Sequence, residues 1–187
     1  MSGAEDGKTV GLAGRDLARI GAESAETAFS LLADRSVLMG EIIVGLATDE
    51  GVARPAVSSQ WECGVFFELE GCAESVVGLL FQAAQRDALI EQMMGEPAKT
   101  LSEIAAESVL TEVANIVASH VASGIADASG GRLLPSLPTL VVSDAASQLE
   151  VFLREHASSE APRHSCELAD GGAGIGALLV FVPTADS

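Results

Sequence analysis

The sequence is poor in aromatic, cysteine and basic residues. Its 187 residues include no tyrosine, and aromatic residues make up only 4% of the chain, so a buried core must consist mainly of Val, Leu, Ile and Ala. Ten Lys and Arg residues oppose 27 Asp and Glu residues, which gives a formal net charge of −17. Nucleic acids and anionic membranes bind clustered Lys and Arg, so this balance argues against both as partners.

The three cysteines, Cys63, Cys72 and Cys166, fall at strand-like positions without the spacing of a metal site, which favours reduced, structural thiols. His164 shares a strand face with Cys166, but two ligands do not make a site, and we expect no metal or cofactor of the chain's own. No apolar run approaches the length of a membrane span, and the first residues lack the regions of a secretory signal. These features predict a cytoplasmic protein with residues 1–11 as a disordered tail.

Residues 12–187 are predicted to form a single domain of two halves with a similar plan, about 12–82 and 83–183. The pattern of the first half predicts, in order, a helix over 13–33, a strand within 36–46, a looser stretch around Pro55, a hairpin over 61–81 that turns at Glu70-Gly71, and a short helix over 87–94.

The second half begins with a long helix. We expect Thr100 to cap its N-terminus, with Glu103 completing a capping box, and Gly130 to end it after Ser129. The following elements are a strand over 137–144, a helix over 147–157 and a hairpin over 163–183 that turns near Asp170-Gly171. Long helix, strand and hairpin thus occur twice. This predicts an internally duplicated α/β (α+β) fold, with a mainly antiparallel sheet and two long helices on one face.

Asn115 is the only asparagine of the chain, and it lies in the middle of that helix, three residues after Glu112. Helix interiors disfavour asparagine by up to ~0.7 kcal/mol relative to alanine, because its amide competes for backbone hydrogen bonds. A local cost of this kind is typical of a functional site. A helical projection places Ser108, Glu112, Asn115 and Ser119 in one stripe opposite the apolar arc, so Glu112 and Asn115 should face solvent. Taken singly, Glu112 would be an ordinary solvated glutamate.

The pattern SxxxExxN, from Ser108 through Glu112 to Asn115, is followed by twenty-two residues and then Pro138. It resembles the active-site signature of the CheC/CheX/FliY family of bacterial and archaeal chemotaxis phosphatases. The resemblance is closest to CheC and covers essentially residues 13–183, including the duplication. Members of this family remove the phosphoryl group from the aspartate of a phosphorylated receiver domain, usually CheY. The resemblance therefore implies a hydrolase, a protein aspartyl-phosphate phosphatase.

For Glu112 the resemblance implies a salt bridge to the lysine of the receiver's active site. For Asn115 it implies a carboxamide that holds the attacking water in line with the phosphorus. An acyl phosphate is already activated, so positioning a water suffices without a nucleophile or a strong base. A carboxylate in place of the amide would set a negative charge against the phosphoryl oxygens. The divalent cation, Mg²⁺, is expected to belong to the receiver.

The first long helix departs from the signature. Aligned with the second, it carries Asp16 at the glutamate position, Arg19 at the asparagine position and Ile42 at the proline position. An arginine has no hydrogen-bond acceptor for a water, and Asp16 has a shorter reach than glutamate. We expect this degenerate first site to be inactive, which leaves one site per chain. Simple decay and a retained partner contact through Arg19 both stay open.

The alternative to an enzyme is a non-catalytic adaptor of the same fold, which binds the receptor deamidase CheD, a receiver or a flagellar-switch partner. Retention of both Glu112 and Asn115 favours the phosphatase. The segment GGAGIG at 171–176 contains a glycine pattern found in phosphate-binding loops, but no helix follows it. We interpret it as a tight turn.

Overall fold

The computed structural model describes residues 12–45, 60–172 and 174–184. Within these ranges the helices are α1 (Gly14–Ala33), α2 (Ala83–Met94), α3 (Glu103–Ser129) and α4 (Ala145–His156), with a short 3-10 helix (Ala98–Thr100) before α3. The strands are β1 (Leu38–Met39), β2 (Ile43–Gly45), β3 (Cys63–Gly71), β4 (Ser75–Phe81), β5 (Leu133–Pro135), β6 (Thr139–Val141), β7 (Arg163–Ala169) and β8 (Gly176–Pro183). The predicted tail and the stretch around Pro55 lie outside the described residues.

The described strands form one eight-stranded sheet in the order β1-β7-β8-β4-β3-β5, in which β2 also pairs with β7 and β6 with β3. Every strand pair in these ranges is antiparallel. The hairpins β3–β4 and β7–β8 meet at the centre, where β4 pairs with β8 from Ser75↔Pro183 to Leu80↔Leu178. Two short strands after α1 flank one hairpin, and two short strands after α3 flank the other. The predicted duplicated, antiparallel plan is confirmed.

Helices cover both faces of this sheet. Val65, Phe67 and Leu79 point to the face on which α1 and α3 pack against each other. Phe66, the neighbour of Val65 and Phe67, points the opposite way because strand side chains alternate, and it packs with Leu149 of α4. The two long helices therefore share one face, as predicted, and α4 adds a layer on the other.

Three strand predictions were wrong in detail, each because of pairing with a distant segment. The single strand expected within 36–46 is divided into β1 and β2, which both pair with β7. The strand expected over 137–144 is reduced to β6, and β5 forms before it. The first hairpin turns after Gly71 rather than at Glu70-Gly71, because both residues extend β3 by pairing with β5. Cys72 consequently lies in a turn and not in a strand.

The start of α3 also differs from the prediction. Ser102, not Thr100, is the N-cap, and its Oγ accepts a hydrogen bond from the backbone N–H of Ala105 at 3.2 Å. Thr100 ends the 3-10 helix, where its Oγ1 donates to the Pro97 carbonyl at 2.6 Å. Glu103 is then the first helical residue, so it cannot complete a capping box. Gly130 ends α3 in the left-handed conformation, with φ 68°, as predicted.

By length and composition alone, α3 is apolar enough to cross a membrane, contrary to the expectation that no run would be. It is the one such helix in the part of the chain that the structure describes. Half of its apolar window is buried inside the protein. Burial of this kind is what the core helix of a globular fold shows.

Candidate functional site

The outer face of α3 carries the pair of residues that the sequence singled out. Glu112 is exposed and Asn115 is half-buried. Residues three apart on a helix have Cβ atoms about 5–6 Å from each other, so the two side chains are neighbours. Leu110, Val113 and Val117 lie on the opposite side of the helix and are buried. The apolar side thus fixes α3 to the sheet and to α1 and turns the pair outward.

The polar groups of this stripe differ in whether the protein already uses them. Ser108 Oγ donates to the Ile104 carbonyl at 2.8 Å, and Ser119 Oγ donates to the Asn115 carbonyl at 2.7 Å. The Glu112 carboxylate and the Asn115 amide have no hydrogen-bond or ion-pair partner among the described residues. The two side chains are therefore available to another molecule.

Pro138, the last residue of the motif, belongs to a different element. It is half-buried in the connection between β5 and β6. This connection is held to β3 by two hydrogen bonds, from the Glu68 N–H to Ser136 Oγ at 3.0 Å and from the Ser136 N–H to the Glu68 carbonyl at 2.8 Å. No hydrogen bond in the described ranges joins this connection to Glu112 or Asn115, so α3 alone places Ser108, Glu112 and Asn115 on one face.

The two long helices end in the same way, which fixes their alignment. Each ends at a residue in the left-handed conformation, Asp34 after α1 and Gly130 after α3, 96 residues apart. The same spacing relates Asp16 to Glu112 and Arg19 to Asn115. The alignment used for the degenerate first site therefore agrees with the structural equivalence of the helices.

In the degenerate first site, Arg19 forms an ion pair within its own helix. Asp16 and Arg19 are both exposed on α1. Arg19 Nη1 lies 2.7 Å from Glu23 Oε1, one turn further along the helix. Ile42, at the proline position, is half-buried between β1 and β2. Ion pairs as exposed as this one add little stability and are easily exchanged, so decay of this copy and a retained partner contact through Arg19 both stay open.

A groove of about 490 Å³ lies between α2, the 3-10 helix and the N-terminal part of α3. Neither Glu112 nor Asn115 lines it. Cys63 does, but burial raises the pKa of its thiol to about 11, so the thiolate nucleophile is scarce at neutral pH. The candidate pair instead occupies a convex helix surface. Such a surface suits contact with another protein better than enclosure of a small molecule.

Ile104 lies on the same face and was missed by the sequence reasoning. Its side chain is 76% exposed. At 100° per residue it points within about 20° of Asn115. The available signal was an apolar residue eleven positions before Asn115, on the side of the helix away from the core.

Comparison with solved structures identifies the fold. CheX from Desulfovibrio desulfuricans matches with a TM-score of 0.65 at 11% sequence identity, over 90% of this chain and 99% of that one. The fold is that of the CheC, CheX and FliY proteins. FliY from Thermotoga maritima matches with a TM-score of 0.63 at 15% identity, over 91% of this chain and 87% of that one. Borrelia burgdorferi CheX, solved in complex with CheY, BeF3 and Mg²⁺, matches with a TM-score of 0.63 at 12% identity, over 90% and 97%.

These matches confirm the predicted CheC/CheX/FliY fold. No family model matches the sequence, and no curated protein is significantly similar to it. At these identities the closer relation to CheC stays a prediction. The same holds for the roles of Glu112 and Asn115.

Proposed function

We propose that this chain is a cytoplasmic phosphatase that hydrolyses the phosphoaspartate of a CheY-like receiver domain and so ends a chemotaxis or other two-component signal. One observation carries the proposal: two unpartnered side chains, Glu112 and Asn115, lie one turn apart on the outer face of a long helix in a CheC/CheX/FliY fold. The solved complex of Borrelia burgdorferi CheX with CheY, BeF3 and Mg²⁺ supports a receiver as the class of partner.

In the proposed reaction, a water attacks the phosphorus in line with the bond to the aspartate oxygen. The new P–O bond forms as the bond to the aspartate breaks, the aspartate leaves as a carboxylate, and the water's proton leaves with inorganic phosphate. The carbonyl oxygen of Asn115 accepts a hydrogen bond from the water and orients it. Its neutral amide adds no charge against the phosphoryl oxygens.

Glu112 has the complementary task of docking. Its carboxylate pairs with the lysine of the receiver's active site, which places the phosphoryl group over the neighbouring Asn115. The receiver brings its own Mg²⁺, which neutralises the phosphoryl oxygens. Because both residues belong to one helix, the separation of their backbone atoms is fixed before the receiver binds, and the ordering cost at this pair is limited to the two side chains.

The proposal is tested by phosphate release from a CheY-like receiver that has been phosphorylated with acetyl phosphate in Mg²⁺. We expect Asn115→Ala and the isosteric Asn115→Asp to lose about 100-fold or more in kcat, as loss of one oriented polar group costs other enzymes. Glu112→Ala should lower kcat and weaken receiver binding. Arg19→Ala is the matched control, because it changes the equivalent position of the first half, and it should retain wild-type activity.

Equal phosphate release by all of these variants would overturn the phosphatase and leave only the adaptor. Circular dichroism of each variant excludes loss of structure as the cause of a lower rate. Binding of CheD stays a prediction, and a pull-down with purified CheD is its separate test.

A further inference from the structure

We infer that Ile104 is a docking contact for the receiver, so that the partner surface on this chain extends along α3 from Ile104 to Asn115 and is not confined to the catalytic pair. The inference rests on the proposed function and names a residue that determines affinity for the same partner.

The exposure of Ile104 is the first reason. Its side chain is 76% exposed, and it is the exposed large apolar residue of α3, a helix that the structure describes throughout. The core-facing residues Leu110, Val113 and Val117 are buried, so the apolar contacts of α3 with the core lie on the side opposite to Ile104. A single exposed apolar side chain is common on protein surfaces, so the exposure of Ile104 matters because of where it lies: it adds apolar area to the same helix face as Asn115, and contact with a partner would remove that area from water.

Distance along the helix is the second reason. At a rise of 1.5 Å per residue, Ile104 lies about 12 Å from Glu112 and about 16 Å from Asn115 along the axis. A standard protein interface covers about 800 Å² on each partner, which corresponds to a disc of about 16 Å radius. A receiver centred on the catalytic pair therefore reaches Ile104.

The surface between these residues is suited to close contact. Ser108 lies between Ile104 and Glu112 on the same face, and its small side chain leaves room for a partner. Its hydroxyl already donates to the Ile104 carbonyl at 2.8 Å. Covering this stretch consequently leaves no hydroxyl donor unpaired, a loss that would otherwise oppose binding.

The neighbouring charges indicate the chemistry of the partner surface. Glu103 is exposed and Glu107 half-buried, and both lie on the same two turns of α3 as Ile104. A receiver that fits here presents an apolar side chain about 12 Å from its active-site lysine, bordered by neutral or basic groups. An acidic border would be repelled, because the chain's net charge is −17.

The test compares Ile104→Ser with Leu31→Ser. Leu31 is a matched control because it is 71% exposed and lies on α1. Phosphate release is measured against the concentration of a phosphorylated CheY-like receiver, and the Kd is measured by titration with the same receiver loaded with BeF3 and Mg²⁺. We expect Ile104→Ser to raise both KM and Kd roughly tenfold with kcat within about twofold of wild type. Leu31→Ser should change none of the three.

The outcomes separate this inference from the proposed function. If Ile104→Ser leaves Kd unchanged while Asn115→Ala loses kcat, Ile104 is not a contact and the phosphatase stands. If the wild type binds the BeF3-loaded receiver and Ile104→Ser weakens that binding, but no phosphate is released, the docking surface stands and the phosphatase falls. An equal rise of Kd for Leu31→Ser would also overturn the inference.

Discussion

Gly71, at the end of β3, holds a backbone conformation that other residues adopt only with strain. Its φ is 138°, and a Cβ at this position would lie 2.0 Å from the backbone oxygen of Arg132. That oxygen accepts a hydrogen bond from the Cys72 N–H at 2.8 Å, so it cannot turn away without loss of the bond. We therefore expect Gly71→Ala to destabilise the fold where β3, β5 and the following turn meet.

Gly172 and Gly95 serve as controls that separate the backbone cost of Gly71→Ala from its overpacking cost. Gly172 has no neighbour within 4 Å and an ordinary φ, so Gly172→Ala should change the free energy of unfolding by less than about 0.5 kcal/mol. Gly95 also has no neighbour within 4 Å but has φ 72°, so Gly95→Ala should cost about 1–2 kcal/mol for the backbone alone. Gly71→Ala adds overpacking of about 1–3 kcal/mol to a backbone cost of about 1–3 kcal/mol.

The resulting 2–6 kcal/mol is a large part of the ~5–15 kcal/mol that stabilises a typical domain. Equilibrium urea unfolding measures all three variants, with far-ultraviolet circular dichroism and the fluorescence of Trp61 as signals. Trp61 is the only tryptophan and is 1% exposed, so its emission should change on unfolding. If Gly71→Ala shifts the free energy no more than Gly95→Ala, the contact with the Arg132 carbonyl is not fixed and the reasoning fails.

Two further predictions concern the cap of α3 and a buried histidine. Ser102→Ala should cost about 1 kcal/mol in urea unfolding and Thr100→Ala less than half of that, whereas the reverse ranking would restore Thr100 as the cap. Burial lowers the pKa of His164, whose Nδ1 has no hydrogen-bond partner. Below about pH 6.5 the unfolded chain binds a proton at His164 that the folded protein does not bind. The free energy of unfolding therefore falls by up to ~1.4 kcal/mol per pH unit as the pH decreases. His164→Gln should reduce the loss of stability between neutral and mildly acidic pH, and equal pH slopes for variant and wild type would contradict this.

The elements that the sequence predicted well are those specified by nearby residues. The apolar spacing of α1 and α3 and the Gly130 stop are local signals, and the structure places both helices within a few residues of the prediction. The division into β1 and β2 is not a local property, because it follows from pairing with β7, more than a hundred residues later. The turn after Gly71 was missed for the same reason, since β5 extends β3.

The candidate site likewise has some features that the sequence predicts and others that depend on the folded structure. The outward direction of Glu112 follows from helix periodicity once the opposite side is apolar, so projection sufficed. The half-burial of Asn115 depends on neighbouring elements, and the engagement of Arg19 by Glu23 depends on side-chain conformation. Ile104 was missed because periodicity assigns a face but does not show which apolar side chains stay uncovered. The catalytic roles themselves rest on resemblance and stay predictions.

The central pairing of β4 with β8 has a consequence for the origin of the protein. Each half contributes one hairpin, and each inner strand is buried along its whole length with the inner strand of the other half as one of its two neighbours. A half on its own would keep its hairpin but leave one edge of a long apolar strand unpaired, a form that aggregates readily. Two separate copies of such a half would cover these edges by pairing them with each other, as the subunits of a homodimer do, and joining the copies in one chain makes that pairing permanent.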